Sequence, residues 1–263
     1  MSRASRGIQS ATVSFDILRV MLEKHGALQL REIAAGAGMA PSNVHRYLAS
    51  FIEAGVVVQD PATGRYDLGP FAIRLGLAAL GRIDGVDVMA AGLSQLVDAT
   101  GVDGHTTIWG TAGPVVLRWR GQPARIGVRV MEGTVFPLMA SATGRVWAAH
   151  LPAEVTRPFI ARELAAAARK SGKKRQALLA EFEARLDAVR REGHAHSSGG
   201  LRAGIDAASA PVFGADGRIA FALTLVGPTI NFPARHGQGA FSALKAAAAE
   251  VSRRLGARVP AQT

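Results

Sequence analysis

The sequence predicts an α+β chain in two parts, and three observations carry that expectation. The first seventy residues show helical apolar spacing followed by two short β-rich runs around a turn. Residues 71–82, Phe-Ala-Ile-Arg-Leu-Gly-Leu-Ala-Ala-Leu-Gly-Arg, have the composition of a linker helix. Beyond residue 86, helical patterns alternate with short β-rich runs, which marks a mixed α+β domain.

Taken in order, a first helix is expected over Ala11 to Lys24, where Val13, Ile17, Val20 and Met21 form an apolar stripe and His25-Gly26 closes it. A short helix from Leu30 to Ala35 ends at Gly36 and Gly38. The next begins at Pro41, which suits a first helical position because it has no N–H to leave unpaired. Val44, Tyr47, Leu48, Phe51 and Ile52 share one face of that helix. Ser42, Asn43, His45 and Arg46 lie on the opposite face of its first turns, and Gly55 supplies a stop. Val56–Asp60, a Pro61-Ala62-Thr63-Gly64 turn and Arg65–Gly69 then read as a hairpin, with Val56 and Val58 facing Tyr66 and Leu68. Three helices and a hairpin make the winged helix-turn-helix layout, with Thr63, Gly64 and Arg65 at the wing tip.

The second part starts with a helix over Val86 to Thr100, stopped by Gly101. Strands are expected at Thr106–Trp109, Val115–Trp119 and Ile126–Val130. Helices follow at Ala142–His150 and Pro158–Arg191, the latter broken near Ser171-Gly172. Strands at Ala207–Phe213 and Ile219–Val226 precede a last helix, Gln238–Leu255.

A helix that packs on one side and presents short polar side chains on the other suits the major groove, where its N-terminal residues meet base edges. Ser42, Asn43, His45 and Arg46 are therefore the candidate DNA contacts, and Arg65 is the candidate contact from the wing. Arginine can fork to a guanine or hold a phosphate, so the kind of contact stays open for both arginines. Net charge adds little to this reading. Of the formal +11, residues 1–80 hold only +2. The densest cluster, Arg169 to Arg175, reads as a solvated helix end or loop.

Composition sets the outer limits. Forty-eight per cent hydrophobic residues support a large core, which excludes global disorder. The absence of cysteine excludes disulfides, thiolate catalysis and Cys-ligated zinc. No apolar run approaches 18 residues and no secretory apolar segment follows the N-terminus, so a cytoplasmic protein without a membrane partner is expected. The His194/His196 pair has no third ligand at metal spacing, and no metal or other cofactor is expected.

On these motifs the chain resembles the IclR family of bacterial transcriptional regulators. In the first part the resemblance rests on Ile33-Ala34, Ser42-Asn43-Val44-His45-Arg46-Tyr47-Leu48, Glu53-Ala54-Gly55 and Asp60 through Pro70. In the second it rests on Gly127–Val130, Gly133–Gly144, Ala207–Phe213 and Gly227-Pro228. It implies a winged helix-turn-helix domain over 1–70, a linker helix over 71–85 and a GAF-like α/β effector-binding domain over 86–263. It also implies operator DNA and a small organic acid, aromatic acids included, as partners. The expected assembly is a homodimer or dimer of dimers controlling a catabolic operon. The family's ligand pocket maps onto Val128, Phe136, Ala142, Thr143, Ser197, Ile205, Ala207, Thr224 and Val226. The sequence departs from common family residues in Asn43 for Thr, in Met139 for His, and in Ser197-Ser198-Gly199-Gly200 for an acidic run.

Ala142 and Thr143 open a helical pattern, where free backbone N–H groups and the helix dipole favour an anion. An ordinary helix start capped by Ser141 or Thr143 fits the same residues. His105, His194 and His196 could add donors, although each also suits a structural or surface position. Two rival functions are an enzyme built on the second domain and a winged helix used for protein contacts alone. Against the enzyme, no Ser/His/Asp order, paired carboxylates or phosphate loop is present there.

Overall fold

The computed structural model describes residues 8–24, 26–121, 130–230 and 232–257, the last without the side chains of 233–238. The chain divides into two compact units, Met1–Asp84 and Gly85–Thr263.

In the first unit, α1 (Gln9–Glu23), α2 (Leu30–Ala37) and α3 (Pro41–Glu53) pack around Ile17, Ile33, Val44 and Leu48, which are fully buried. His25, expected to close α1, lies outside the described residues. α2 runs two residues further than expected. Gly36 stays helical and lies against α1, and left-handed Gly38 makes the stop. Ile52 departs from the expected face of α3, being 39% exposed at its edge.

The wing consists of β1 (Val57–Gln59) and β2 (Tyr66–Leu68), paired antiparallel with Val57 opposite Leu68. This corrects the expected register. Val57 is the buried residue, and Val58 faces outward. The reason lies at the end of α3. Gly55 takes φ +70, and the Val56 N–H returns to the Phe51 carbonyl, so Val56 belongs to the helix cap. The alternation therefore starts one residue later. Leu28 bridges to Tyr66 as a third, one-residue strand. α4 (Pro70–Leu80) follows and buries none of its residues.

The second unit is a five-stranded antiparallel sheet between helices. Its strands are β3 (Gly104–Gly110), β4 (Gly113–Arg120), β5 (Ala195–Ser198), β6 (Ile205–Phe213) and β7 (Ile219–Pro228). Their order across the sheet is β4-β3-β7-β6-β5. α5 (Val86–Thr100) and α9 (Phe232–Arg254) pack together beside the sheet, and α6 (Ala142–His150) packs on β6, β7 and β5 with α8 (Arg175–Glu192) behind it. α7 (Ala153–Ser171) lies against α8. The expected strand at Ile126–Val130 falls almost wholly outside the described residues. The expected helix at Pro158 begins five residues earlier, with Pro158 inside α7, and left-handed Gly172 ends it. β5 was not expected. It is four residues long and alternates buried with exposed, too short a pattern to stand out.

Register aligns one row of side chains across the sheet. Trp119 pairs with His105, His105 with Thr224 and Thr224 with Ser209. Directly paired residues point to the same side of a sheet. The four side chains therefore form one line across β4, β3, β7 and β6, on the face that α6 covers.

Candidate functional site

The α3 helix presents the first candidate surface. Ser42, Asn43, His45 and Arg46 are all exposed, while Val44 and Leu48 between them are fully buried. Among the described residues the Arg46 guanidinium has no hydrogen-bond or ion-pair partner. The helix start is bare as well, since Ala40 offers no side-chain cap and Pro41 occupies the first position. Arg65 differs. Its Nη1 donates to the Ala27 carbonyl at 2.9 Å and lies 3.6 Å from a Glu32 carboxylate oxygen. Glu32 in turn accepts from the Gln29 N–H at the start of α2, which chiefly holds its pKa below the usual carboxylate value. Arg65 thus ties the wing to the first turn of α2. The wing tip itself is an Asx turn, in which Asp60 accepts from the Ala62 N–H and the Thr63 hydroxyl.

The second candidate is a cavity in the second unit, with an empty volume of about 570 Å³ including its open mouth. Phe136, Ala142, Thr143, Ser197, Ile205, Ala207 and Val226, all singled out from sequence, line it together. Val128 lies outside the described residues. Thr224 is not in the wall but behind Thr143, with the two hydroxyls 3.0 Å apart.

The N-terminus of α6 forms one side. Ser141 is the N-cap, accepting from the Gly144 N–H at 2.8 Å and donating to the Pro137 carbonyl at 2.6 Å. Gly144 is required here, because a Cβ would stand 2.0 Å from the Pro137 oxygen. Glu163 on α7 holds the same loop, accepting the Leu138 and Met139 N–H groups at 2.8 Å each. With Gly144 taken, the Ala142 and Thr143 N–H groups have no acceptor among the described residues. The Ser141 cap expected from sequence is therefore present, and it leaves these two N–H groups free among the described residues.

Behind this helix end runs a buried polar chain. His105 Nε2 lies 3.2 Å from Thr143 Oγ1, which meets Thr224 Oγ1, which donates to Ser209 Oγ at 2.9 Å. Complete burial drives the His105 pKa down to about 3, so the ring is neutral. Of the other histidines considered, His196 faces Asp206 at 3.5 Å and His194 packs near Phe241, and neither lines the cavity.

Sequence reasoning missed Trp119, Val130, Gly200, Leu201 and Arg202 in the cavity wall. Trp119 enters through cross-strand register, which no local pattern reveals. Gly200 ends the Ser197–Gly200 stretch that departs from the family's acidic run, and Leu201 and Arg202 follow it on the loop between β5 and β6. No carboxylate side chain lines the cavity among the described residues, and Arg202 brings a positive charge to it.

A model of the IclR C-terminal domain of bacterial transcriptional regulators matches residues 77–253, and one of the IclR helix-turn-helix domain matches residues 10–61. The chain belongs to the IclR family of transcriptional regulators, with a DNA-binding helix-turn-helix domain and an effector-binding domain. It is 29% identical to the HTH-type transcriptional regulator BhcR of Paracoccus denitrificans, over 95% of this chain and 87% of that one. It is 36% identical to the Pseudomonas aeruginosa HmgR structure, covering 96% and 100% of the two chains with a TM-score of 0.58. The fold also matches an IclR homologue from Microbacterium hydrocarbonoxydans complexed with 4-hydroxybenzoate. That match has 17% identity, covers 93% and 98% of the chains and has a TM-score of 0.72. Among the described residues no helix is long and apolar enough to cross a membrane.

Proposed function

We propose that this regulator reads operator DNA through Ser42, Asn43, His45 and Arg46 and responds to a small organic acid bound beside α6. The observation that carries the ligand reading is the pair of N–H groups at Ala142 and Thr143, unengaged among the described residues, at a helix N-terminus in a cavity that no described carboxylate lines. Helix N-termini favour anions through free donors and the dipole together. Arg202 adds a positive charge. Phe136, Ile205, Ala207 and Val226 supply apolar walls for the body of the guest, and Ser197 a hydroxyl. An aromatic body suits these walls, and 4-hydroxybenzoate bound to a neighbour of the same fold agrees with that. Catabolic control is the natural use of such a sensor.

Arg65 would act from the wing through its outward nitrogens while its inward one holds α2. The working unit is a homodimer or dimer of dimers. On α4, Phe71, Ile73, Leu75 and Leu77 are each 45–62% exposed, an apolar surface that a second copy would cover.

Calorimetry with a panel of carboxylic acids and their neutral amides tests the ligand reading. Acids binding and amides failing is the expected result. Equal binding of both removes the carboxylate anchor.

A further inference from the structure

The densest charge in the chain lies outside both sites. Residues 165–180 hold Arg169, Lys170, Lys173, Lys174 and Arg175 and no carboxylate. Folding gathers these cations at the tip of the α7–α8 hairpin. Arg169 and Lys170 occupy the last turn of α7, left-handed Gly172 ends it, Lys174 is the N-cap of α8 and Arg175 its first residue. All five are exposed. Lys173 pairs with Glu181 at 2.8 Å. The side chains of the other four have no ion-pair or hydrogen-bond partner among the described residues.

The core does not call for this tip. Leu164 is the last buried residue of α7 and Phe182 the first of α8, so no side chain of residues 165–181 is buried. Along the helix axis, Ser171 stands about 10 Å beyond Leu164 at a rise of about 1.5 Å per residue. The charges also work against α8. Lys174 and Arg175 meet the positive end of its dipole, and no acid occupies its first turn. Like charges held together at a cost to the fold point to a partner of opposite charge.

The DNA-reading elements lack what the tip has in excess. Residues 41–68, which make α3 and the wing, hold Arg46 and Arg65 against Glu53, Asp60 and Asp67. Arg65 is further engaged by Ala27 and Glu32. Yet neutralised phosphates supply essentially all of the sequence-independent affinity for DNA. A bilayer fits the tip less well, because residues 169–177 contain no apolar side chain larger than alanine to anchor in it. We propose that the α7–α8 tip is a second DNA-binding surface, where Arg169, Lys170, Lys174 and Arg175 hold backbone phosphates of duplex DNA outside the bases that α3 reads. The tip takes duplex of any sequence and gives the regulator an electrostatic hold that α3 and the wing do not supply. This surface goes beyond the α3 reading and is tested apart from it.

The test is a salt titration of the full chain on a random-sequence duplex, from about 200 down to about 50 mM salt. Two tip variants are compared, Lys174→Gln with Arg175→Gln and Arg169→Gln with Lys170→Gln. The control, Arg253→Gln with Arg254→Gln, removes the same charge at the end of α9. All six side chains are exposed, and urea unfolding checks that each variant keeps the fold. Each lost phosphate contact flattens log K against log salt by about 0.9, so over that range a tip variant's deficit against the parent should grow about 3-fold for one contact and about 12-fold for two. The control's deficit should stay nearly constant. Should one tip pair fail to fold, the other decides. Tip variants that track the control overturn the inference. Tip-dependent retention on phosphatidylglycerol vesicles, with no change on duplex, also overturns it and assigns the tip to a membrane surface. Arg46→Ala on the operator tests α3 and does not enter this comparison, so the two readings fail separately.

Discussion

Thr143 is the joint through which α6 is bonded to the sheet, and replacing it with valine tests that joint. Its hydroxyl lies 3.2 Å from His105 Nε2 and 3.0 Å from Thr224 Oγ1, and all three residues are at most 2% exposed. Valine matches the shape and removes both bonds. Each lost bond is worth about 0.5–1.5 kcal/mol, and the stranded His105 ring nitrogen adds a desolvation penalty of about 1–3 kcal/mol. The terms overlap, so a loss of about 2–4 kcal/mol is expected. All three tryptophans, Trp109, Trp119 and Trp147, lie in the second unit, so their fluorescence reports its unfolding alone. With a urea slope near 2 kcal/mol per molar, the midpoint should fall by about 1–2 M. Thr143→Ser keeps the hydroxyl and should cost only about 1 kcal/mol for the missing methyl. A valine variant unfolding within about 0.3 M of the parent would refute the claim that this polar chain holds α6 in place.

Three further outcomes are expected. Arg46→Ala should leave the fold unchanged, since the side chain is exposed, and should weaken operator binding by roughly 1–3 kcal/mol in binding isotherms, with relaxed preference at one base pair if Arg46 forks to a base. For His105 the sign follows from its lowered folded pKa: the unfolded chain gains a proton near pH 6.5 and the folded one only near 3. Its contribution to stability is therefore complete above pH 6.5 and fades as pH falls, by about 2 kcal/mol between pH 7 and 5, and urea titrations of the parent against His105→Asn should show the variant lacking this component. Leu75→Glu with Leu77→Glu should reduce self-association in sedimentation and weaken operator binding with it, while leaving the monomer folded; unchanged association would remove α4 from the interface.

Much of this architecture could be read from the residues because local rules and tertiary packing agree. Val86–Thr100 and Ala142–His150 fall where apolar spacing, capping and Gly101 place them. The wing register was misread where a neighbouring element took over. Val56 was drawn into the cap of α3, which shifted the wing register by one residue. The second task of Arg65, holding Ala27 and Glu32, was not legible, because those partners lie 38 and 33 residues away. In the cavity, the positions supplied by family resemblance were largely brought together. Trp119 and His105 were not legible as a pair, because their alignment depends on the register between β3 and β4, which has an irregularity between Thr106 and Thr107. Glu163 was equally hidden. Its hold on the Leu138–Met139 backbone joins a helix to a loop 24 residues earlier, and nothing local to Glu163 announces it.

The central claim is that an acid in the cavity changes how tightly α3 is held on DNA, and an operator titration tests it most directly. The full chain is footprinted on DNA flanking its own gene, with and without an acid that calorimetry has shown to bind. The account predicts two protected half-sites separated by about one helical turn or a multiple of it. It also predicts a shift in affinity of about 5–150-fold with the acid, and none with its amide. Uniform, weak retention without a footprint, or the same affinity with and without saturating acid, would contradict it.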